Sequence, residues 1–529
     1  MTDHRGAEAW APGRERQFVT VARNVSTRYL AILVEIAIGL VMLPLNLAYL
    51  GPAQYGLWVL LGSVTIHFSL LDLGYAGALV KFMAQYRAHR DARALNEIAS
   101  TLFFVFAGIG LLAYAVAAGV AFHLEHVFAI TAAQAETGRW ITLIIALYVG
   151  LNFPFSVYGG VMAGFQRYDA NNVVAVATSL VAALVNVAVL LAGADLLVLV
   201  ASTTAVRMLA LVVYRLNAYR IFPELRISPA LFRTARLREV TAFSVYTSII
   251  DWANKLNYQL DELVIGVFMG SPAVAVWAVA ERIISGTQRL TNKLNGVLFP
   301  VVVDSDAAAR KETLQQVLLQ GTSLSLAMVL PIAAMLILLA EPLLRAWLGD
   351  KATPTMLGAV PVVQILAVAV AIRVGSATAT TVLKGAGRHR LLAFVNLGTG
   401  LVNVVLSIAL IRPYGLTGVA WGTLVPIALS SFAILYPAAC RRVGLPVGHA
   451  VMRSVLPAIW PALVVMGLGF WLTQPPAGGT LLAVVLQALA AGMLYLALFF
   501  AVAIGRRDRA LYTAKALELL GRRGVASPA

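Results

Sequence analysis

The chain alternates between long apolar runs and short polar connections. Runs such as TLFFVFAGIGLLAYAVAAGVAF (101–122) reach the roughly 20 residues that an α-helix needs to cross the hydrocarbon core of a bilayer. They are continuous, which excludes the alternating strand pattern of an outer-membrane barrel. The pattern predicts an all-α polytopic membrane protein with about 14 transmembrane helices.

Short polar segments separate the predicted spans, and none is long enough to hold a soluble catalytic domain. We number the spans 1 to 14 in chain order. They are 29–50, 56–80, 99–121, 141–163, 171–192, 195–213, 241–269, 273–300, 317–339, 357–382, 391–411, 416–438, 455–473 and 480–504.

Positively charged residues collect in alternate connections. Of the 40 Lys and Arg residues, 30 fall in segments on the side of the N-terminus and four in the opposite loops. Because Lys and Arg are enriched in cytoplasmic loops, both termini are predicted to be cytoplasmic. The formal charge of +16 is therefore mostly a topology signal, and it does not require a nucleic-acid partner.

A polar segment at 214–240 divides the first twelve spans into two sets of six. Its two prolines and six arginines suit an interfacial linker. The predicted organisation is a cytoplasmic N-terminal segment (1–28), an N-terminal six-helix bundle (29–213), a cytoplasmic interlobe linker (214–240), a C-terminal six-helix bundle (241–438), two additional transmembrane helices (439–504) and a basic cytoplasmic tail (505–529).

Two internal matches support this division. YLGPAQYGLWVL (49–60) resembles FMGSPAVAVWAV (268–279) at an offset of 219, and VMAGFQRY (161–168) resembles VLKGAGRH (382–389) at an offset of 221. Because each half has an even number of spans, we expect the halves to be pseudo-symmetric about an axis along the membrane normal. Transporters often use such parallel repeats and hold the substrate between them.

Polar residues are concentrated in span 7, in SIIDWANKLNYQLDELVIG (248–266). Asp251, Lys255 and Glu262 fall on one helical face. A charge at the bilayer centre costs roughly 2.5–3.5 kcal/mol, so this face is expected to point into protein or a wet cavity. A structural ion pair between Asp251 and Lys255 and a functional role for both are open alternatives. Asp261 and Glu262 are interpreted as interfacial, solvated residues.

Spans 8 and 10 contain further cations. Arg282, Arg289 and Lys293 are spaced by seven and four residues and form one helical stripe, and Arg373 lies near the middle of span 10. Arginine binds phosphate through two parallel hydrogen bonds, while lysine acts as a point charge. These four residues and Lys255 are the candidate ligands of an anionic substrate. The alternative for Lys293 is extension toward the cytoplasmic interface.

Two carboxylates within spans are candidates for coupling transport to an ion gradient, Glu35 in span 1 and Asp251 in span 7. The alternative is that each is held ionised by a neighbouring Arg or Lys. A single cysteine, Cys440, excludes an intramolecular disulfide and a multi-cysteine metal site. No catalytic residue, metal or organic cofactor is expected.

Four stretches resemble bacterial polysaccharide exporters, the Wzx-type O-antigen and capsule flippases of the multidrug/oligosaccharidyl-lipid/polysaccharide (MOP) flippase superfamily. They are LGPAQYG-x-W (50–58), LLDLG (70–74), LDELVIGVFMG (260–270) and VLFP (297–300). The fourteen-span layout is similar to that family over nearly the whole chain.

The resemblance implies two six-helix bundles around a central cavity and two extra C-terminal helices. It implies a flippase that moves an undecaprenyl-diphosphate-linked oligosaccharide across the bacterial inner membrane by alternating access, for cell-surface polysaccharide such as the O-antigen of lipopolysaccharide. Several family members are coupled to proton or sodium gradients. The expected partners are the lipid-linked substrate, membrane lipids and other polysaccharide-assembly proteins.

Two other functions fit a membrane-embedded chain. A multidrug antiporter of the same superfamily would favour a cavity dominated by carboxylates, the opposite of the bias in spans 8 and 10. An integral-membrane polysaccharide polymerase or ligase would favour a large periplasmic loop, and the longest one, about 122–140, has no recognisable catalytic constellation. An ATP-driven pump is disfavoured because no G-x-x-x-x-G-K-[ST] loop occurs.

Overall fold

The apolar runs form long helices that break at a few glycines and polar turns. The computed structural model describes residues 14–72, 74–242, 244, 260–291, 293–472, 480–503 and 509. Within these residues the regular structure is helical and no strand occurs. The predicted all-α membrane fold is confirmed.

The chain forms two compact units, residues 1–279 and 280–529. The predicted domain boundaries stay predictions, and the first unit continues past the predicted linker to Val279. Its helices are α1 (Arg14–Ile66), α2 (Tyr75–Ala88), α3 (Ala92–Phe122), α4 (Leu124–Val127), α5 (Ala132–Gly164), α6 (Tyr168–Leu191), α7 (Leu196–Ile221), α8 (Asp261–Met269) and the start of α9 (Ser271–Thr291). A 3-10 segment, His67–Asp72, follows α1, and residues 234–242 are also helical.

The second unit begins within α9. Its further helices are α10 (Lys293–Ala307), α11 (Lys311–Leu348), α12 (Pro354–Leu357), α13 (Ala359–Gly385), α14 (His389–Leu429), α15 (Tyr436–Val443), α16 (Val447–Ala450), α17 (Leu456–Leu472) and α18 (Leu481–Leu498). Single π-helical segments, Ser430–Leu435, Val451–Val455 and Phe499–Ala503, follow α14, α16 and α18.

Among the described residues, ten helical segments are long and apolar enough to cross a membrane. Two of them, Ser26–Thr65 and His389–Val443, each include parts of two predicted spans. Gly51 (φ 72°, ψ 168°) and Gly415 (φ 59°, ψ −139°) break the helical backbone between those spans. The α9 helix is not among the ten, since its charged and polar residues lower its hydropathy. The number fourteen therefore stays a prediction.

The core of the first unit lies between α2, α3 and α5. Leu95, Ile98, Leu102 and Phe106 recur every three or four residues on one face of α3, and all four are fully buried. The same face of the helix thus packs against its neighbours over three turns.

We use near face for the membrane side that is predicted to hold the N-terminus and far face for the opposite predicted side. The near-face turns after α5 and α13 have the same structure. The N–H groups of residues 165, 166 and 167 donate to the carbonyls of residues 161, 163 and 162, respectively. The N–H groups of residues 386, 387 and 388 donate in the same pattern to the carbonyls of residues 382, 384 and 383. The second sequence match, at an offset of 221, is therefore also a structural repeat.

Backbone angles extend the repeat to the other match. Gly51 has φ 72° and ψ 168°, and Gly270 has φ 80° and ψ −178° at an offset of 219. At the same offset Arg90 and Ala309 both have positive φ, 56° and 52°. These agreements support the predicted relation between the two halves.

The turn after α5 is held by the helix that precedes span 1. Gln166 has φ 61°, a left-handed conformation that Gly387 occupies in the repeat with φ 72°. The α1 helix begins at Arg14, within the predicted N-terminal segment, and so places Asn24 beside this turn. Asn24 Nδ2 donates to Gln166 O at 2.9 Å, and Asn24 Oδ1 accepts the N–H of Asp169 at 2.8 Å.

A seam of small residues closes the far-face ends of α1, α5, α8 and α9 within the first unit. The far-face seam comprises Gly56, Leu60, Ala129, Gln134, Gly266, Gly270 and Ser271. A Cβ at Gly56 would collide with the carbonyl oxygen of Ser271, and one at Gly270 with that of Ala129. Only residues without a side chain allow this backbone approach.

Two hydrogen bonds cross the same seam. The N–H of Ala129 donates to Gly266 O at 3.1 Å, and Gln134 Nε2 donates to Ser271 Oγ at 3.0 Å. The seam is therefore close-packed but held by few polar contacts.

Gly56→Ala is expected to lower the melting temperature of the purified protein, because the added methyl group has no room against α9. Overpacking of this kind costs about 1–3 kcal/mol. Gly62→Ala on the same helix is the matched control, since no described atom lies within 4 Å of its Cβ position. Equal melting temperatures for the two variants in detergent would contradict a close-packed seam.

Candidate substrate site

Two intramembrane arginines, Arg282 on α9 and Arg373 on α13, lie in the second unit, and both are partly buried. Arg282 follows the first residue of α9 by 11 positions, and Arg373 follows the first residue of α13 by 14. At 1.5 Å per residue they lie about 17 and 21 Å from the far-face ends of their helices. Both therefore lie near the middle of predicted spans 8 and 10, where a charge is costly and generally functional.

The Arg282 face of α9 borders open space. In the part of the chain that the structure describes, the Arg282 side chain has no ion pair or hydrogen bond. Gly286 is one turn later on the same face, and no described atom lies within 4 Å of a Cβ built there. Ile284 and Thr287, on the opposite face, are buried. Among the described residues, nothing therefore fills the space beside Gly286 on the face that carries Arg282.

The α13 helix is held on two sides by small hydroxyl residues. Ser376 Oγ lies 3.1 Å from Ser431 Oγ, and Thr378 Oγ1 lies 3.3 Å from Ser325 Oγ on α11. Short side chains of this type let membrane helices approach closely. The stretch GSATAT (375–380) therefore serves helix packing and fixes the rotation of α13.

The remaining face of α13 carries Arg373, Ala377, Thr380 and Lys384, at spacings i, i+4, i+7 and i+11. None of these four is fully buried. Lys384 Nζ lies 5.6 Å from the ring centre of Phe299 on α10. The Lys384 side chain thus reaches α10, whose Val302 packs against α13 at Gly385.

Lys384 is a cation that the sequence reasoning assigned only to a near-face connection. Its spacing of 11 residues from Arg373 is the signal that would have placed both on one face. The structure brings α10 against α13. A site shared by Arg282 and Arg373 stays a prediction.

The other candidate ligands are not tested by the structure. Asp251 and Lys255 lie outside the described residues. Arg289 and Lys293 belong to the helical backbone of α9 and α10, but their side chains also lie outside the described part. Glu35 is exposed on α1, and its role in ion coupling stays a prediction.

The interpretation of Asp261 as a solvated, interfacial residue is wrong. Asp261 is only 8% exposed, at the start of α8. A carboxylate in the first turn of a helix is stabilised by the positive end of the helix dipole. This position accommodates a buried charge that an isolated site would not.

Sequence reasoning missed a buried polar cluster in α14. Asn403 Nδ2 donates to Thr423 Oγ1 at 3.1 Å, and both residues are more than nine-tenths buried. Ser407, one turn after Asn403, is fully buried against Gly422. The cluster ties together the two spans that meet at Gly415, and no local sequence pattern indicated the pairing.

Two protein-family models match the chain. A family model described as polysaccharide biosynthesis protein matches residues 21–306, more than half of the chain, and a MatE model matches residues 255–409. No curated protein gives a significant sequence match.

Three solved structures are similar in fold. The lipid II flippase MurJ, in an inward closed conformation, matches with a TM-score of 0.69 and 13% identity over 94% of this chain and 99% of that chain. An inward-facing multidrug resistance MATE family transporter matches with a TM-score of 0.64 and 15% identity over 78% of this chain and 94% of that chain. A MOP superfamily transporter from Pyrococcus furiosus matches with a TM-score of 0.51 and 14% identity over 80% and 94%. The resemblance to the MOP superfamily is confirmed.

Proposed function

Because the chain belongs to the polysaccharide biosynthesis protein family, we propose that it is a flippase for an undecaprenyl-diphosphate-linked oligosaccharide. The observation that supports the proposal is Arg282, which lies in the middle of predicted span 8 and has no acidic partner among the described residues. A diphosphate offers several anionic oxygens, which a guanidinium binds through parallel hydrogen bonds.

The proposed mechanism is alternating access across the bacterial inner membrane, with the near face and both termini in the cytoplasm. The diphosphate enters from the near face and binds Arg282 and Arg373, while the lipid tail stays in the bilayer. Further proposed cationic ligands are Lys255, Arg289, Lys293 and Lys384. The far-face seam is closed during binding and opens to release the head group, for assembly of a cell-surface polysaccharide such as the O-antigen.

Coupling to a proton or sodium gradient is proposed to involve Asp251 and Glu35. Each is a carboxylate within a predicted span, and its protonation or ion occupancy changes between the two states of the cycle. The family match and the fold support transport, and they leave the coupling ion to experiment.

The second candidate function is multidrug antiport, favoured by the MatE match at 255–409 and by the fold likeness to MATE transporters. The polarity of the pocket separates the two candidates. For the Pyrococcus furiosus transporter, reverse polarity of the binding pocket suggests a different function. In this chain α9 carries Arg282 and α13 carries Arg373 and Lys384, which favours an anionic substrate.

Deletion of the gene in its native host tests the substrate class. The flippase function predicts that undecaprenyl-linked oligosaccharide accumulates in the cytoplasmic leaflet. Normal delivery of these lipids to the periplasmic leaflet would refute it. Increased sensitivity to cationic drugs, with normal lipid-linked sugars, would support the multidrug candidate instead.

Arg282→Ala and Arg373→Ala are each expected to reduce flipping in proteoliposomes by roughly tenfold or more, the size expected for the loss of charged hydrogen bonds. Arg282→Lys should retain part of the activity, because it keeps the charge and loses the planar fork. Arg345→Ala is the control, since Arg345 is exposed and forms an i,i+4 pair with Glu341. Wild-type flipping by both alanine variants would remove the cationic-site mechanism.

A further inference from the structure

The segment after α7 is bound along the near-face end of α3. We refer to residues 222–241 as the strap. Asn96 Nδ2 donates to Glu224 O at 2.9 Å, and Asn96 Oδ1 accepts the N–H of Arg226 at 2.7 Å. One amide side chain thus satisfies two backbone groups of the strap, as a neighbouring strand would.

Two hydroxyl groups on the next turn of α3 continue this contact. Ser100 Oγ accepts the N–H of Ser228 at 3.2 Å and donates to Arg226 O at 3.1 Å. Thr101 Oγ1 accepts the N–H of Arg233 at 3.0 Å. The strap is therefore attached through its backbone, which a flexible tether between two bundles does not need.

Glu97 is the charged centre of the attachment. Its side chain is only 10% exposed, and its carboxylate lies 3.2 Å from Arg93 Nε on the same helix. The Nε atoms of Arg233 and Arg236, both in the strap, lie 3.7 and 3.3 Å from it. Burying a carboxylate is costly unless it is paired and hydrogen-bonded. The strap arginines therefore stabilise Glu97, and Glu97 holds them in place.

The C-terminal part of the strap is bound to α2. Tyr86 Oη donates to Glu239 Oε2 at 2.8 Å and accepts a hydrogen bond from Arg236 Nη1 at 2.8 Å. Burial, followed by the hydrogen bond to Glu239, raises the pKa of Tyr86 to about 12. The phenol therefore stays protonated, and able to donate, throughout the physiological pH range.

The strap ends beside the break in span 2. Tyr75 Oη lies 3.0 Å from Thr241 Oγ1, and Ser244 Oγ donates to Gly74 O at 3.3 Å. Gly74 is the left-handed residue (φ 72°) at the start of α2, shortly after the 3-10 segment His67–Asp72. The first residues of span 7 are thus held where span 2 changes its helical form.

We propose that Glu97 is a positioning residue for transport. By binding Arg233 and Arg236 it holds the strap on α3, and the strap holds the start of span 7 beside the break in span 2. The strap stays attached throughout the cycle, so the near-face ends of spans 2 and 7 move together. This inference rests on the proposed transport function.

The test measures flipping of undecaprenyl-diphosphate-linked N-acetylglucosamine by the full chain in proteoliposomes. The single cysteine, Cys440, is replaced in Cys440→Ala, and Ser100→Cys with Ser228→Cys then provides a unique pair. Oxidation is used to join them directly as a disulfide, since Ser100 is buried and its Oγ lies 3.2 Å from the backbone nitrogen of Ser228. No flipping by the native protein would refute the proposed function itself, before any variant is compared.

Glu97→Gln is expected to lower the flipping rate about tenfold, the size of the loss of a charged hydrogen bond. Cross-linking residues 100 and 228 is expected to leave flipping unchanged when Glu97 is present and to restore it in Glu97→Gln. The cross-link replaces only the attachment of the strap. Rescue therefore separates positioning from a role of the carboxylate in folding or proton binding.

Three results would overturn the proposal while leaving the transport function intact. The first is that the cross-link blocks flipping in the protein that retains Glu97, and the second is that Glu97→Gln flips at the native rate. The third is that Glu97→Gln flips slowly and the cross-link does not restore its rate. If Glu97→Gln fails to insert, Arg233→Gln takes its place, because that arginine is partly exposed and its loss leaves Arg93 and Arg236 beside Glu97. The same rescue by the cross-link is then required.

Discussion

Cross-linking Gln134→Cys to Ser271→Cys abolishes transport, and reduction of the cross-link restores it; this is the largest effect that we expect. The native side chains meet across the far-face seam, with Gln134 Nε2 3.0 Å from Ser271 Oγ. In alternating access the far face must open for the head group to leave. A covalent bridge prevents that opening without removing any cationic ligand.

The block is expected to be complete because the native seam is held by reversible hydrogen bonds, whereas the cross-linked seam is held by a covalent bond. The native seam is crossed by one side-chain bond and by the backbone bond from Ala129 to Gly266. Such bonds have a net worth of about 0.5–1.5 kcal/mol each, because water replaces them on opening. A covalent bond offers no such exchange. The seam is thus built to open reversibly, and the bridge removes that property.

The measurement is flipping in proteoliposomes with Cys440→Ala as background, before and after reduction. The strap pair, Ser100→Cys with Ser228→Cys, is the control, since it receives the same reagent and is expected to remain active. Transport at the uncross-linked rate through a bridged seam would show that release takes another route. The proposed gate would then be wrong.

Gly286→Phe is expected to reduce flipping by roughly 100-fold, comparable to the loss when reacting groups are misplaced in a site. The ring would fill the space in front of Arg282, where no described atom lies within 4 Å of the Cβ position. The variant should still fold, because the ring meets no packed neighbour among the described residues. Gly286→Ala adds only a methyl group, gains about 1 kcal/mol of helix propensity, and should flip at the native rate.

Gly467→Phe on α17 is the matched control for bulk on a membrane helix. Gly467 also has no described atom within 4 Å of its Cβ position, and it lies outside the two predicted six-helix bundles. We expect this variant to flip normally. Normal flipping by Gly286→Phe as well would show that the Arg282 face meets lipid and is not part of the substrate path.

The helical type of the elements could be predicted because hydropathy is a local property. Each apolar run must satisfy its own backbone hydrogen bonds as a helix, whatever its neighbours are. The breaks at Gly51 and Gly415 are also local, since glycine adopts positive φ readily. The sequence match pairs Gly51 with Gly270, and both glycines have positive φ.

The strap contacts could not be predicted because they depend on tertiary structure. Asn96 and Ser100 are ordinary polar residues at the start of span 3, and their strap partners Glu224 and Ser228 lie 128 residues away in the chain. The composition of the segment indicated an interface but not which helix would bind it.

The candidate site falls between these cases. The cost of a charge at mid-span singled out Arg282 and Arg373 from sequence alone. The rotation of α13 depends on packing by Ser376 and Thr378, and only the structure shows that Lys384 reaches Phe299 on α10.

The amide of Asn24 gives the residues before span 1 a structural role in the first unit. A protein shortened to begin at residue 29 would keep every predicted span, and its hydropathy pattern would show no loss of a membrane helix. It would also lose the side chain that bonds Gln166 O, at a turn that the second copy makes with glycine. The turn after α13 adopts its left-handed conformation with Gly387, whereas the turn after α5 places Gln166 there and is bonded by Asn24. The boundary of the folding unit is thus set by an amide group well outside the hydrophobic sequence.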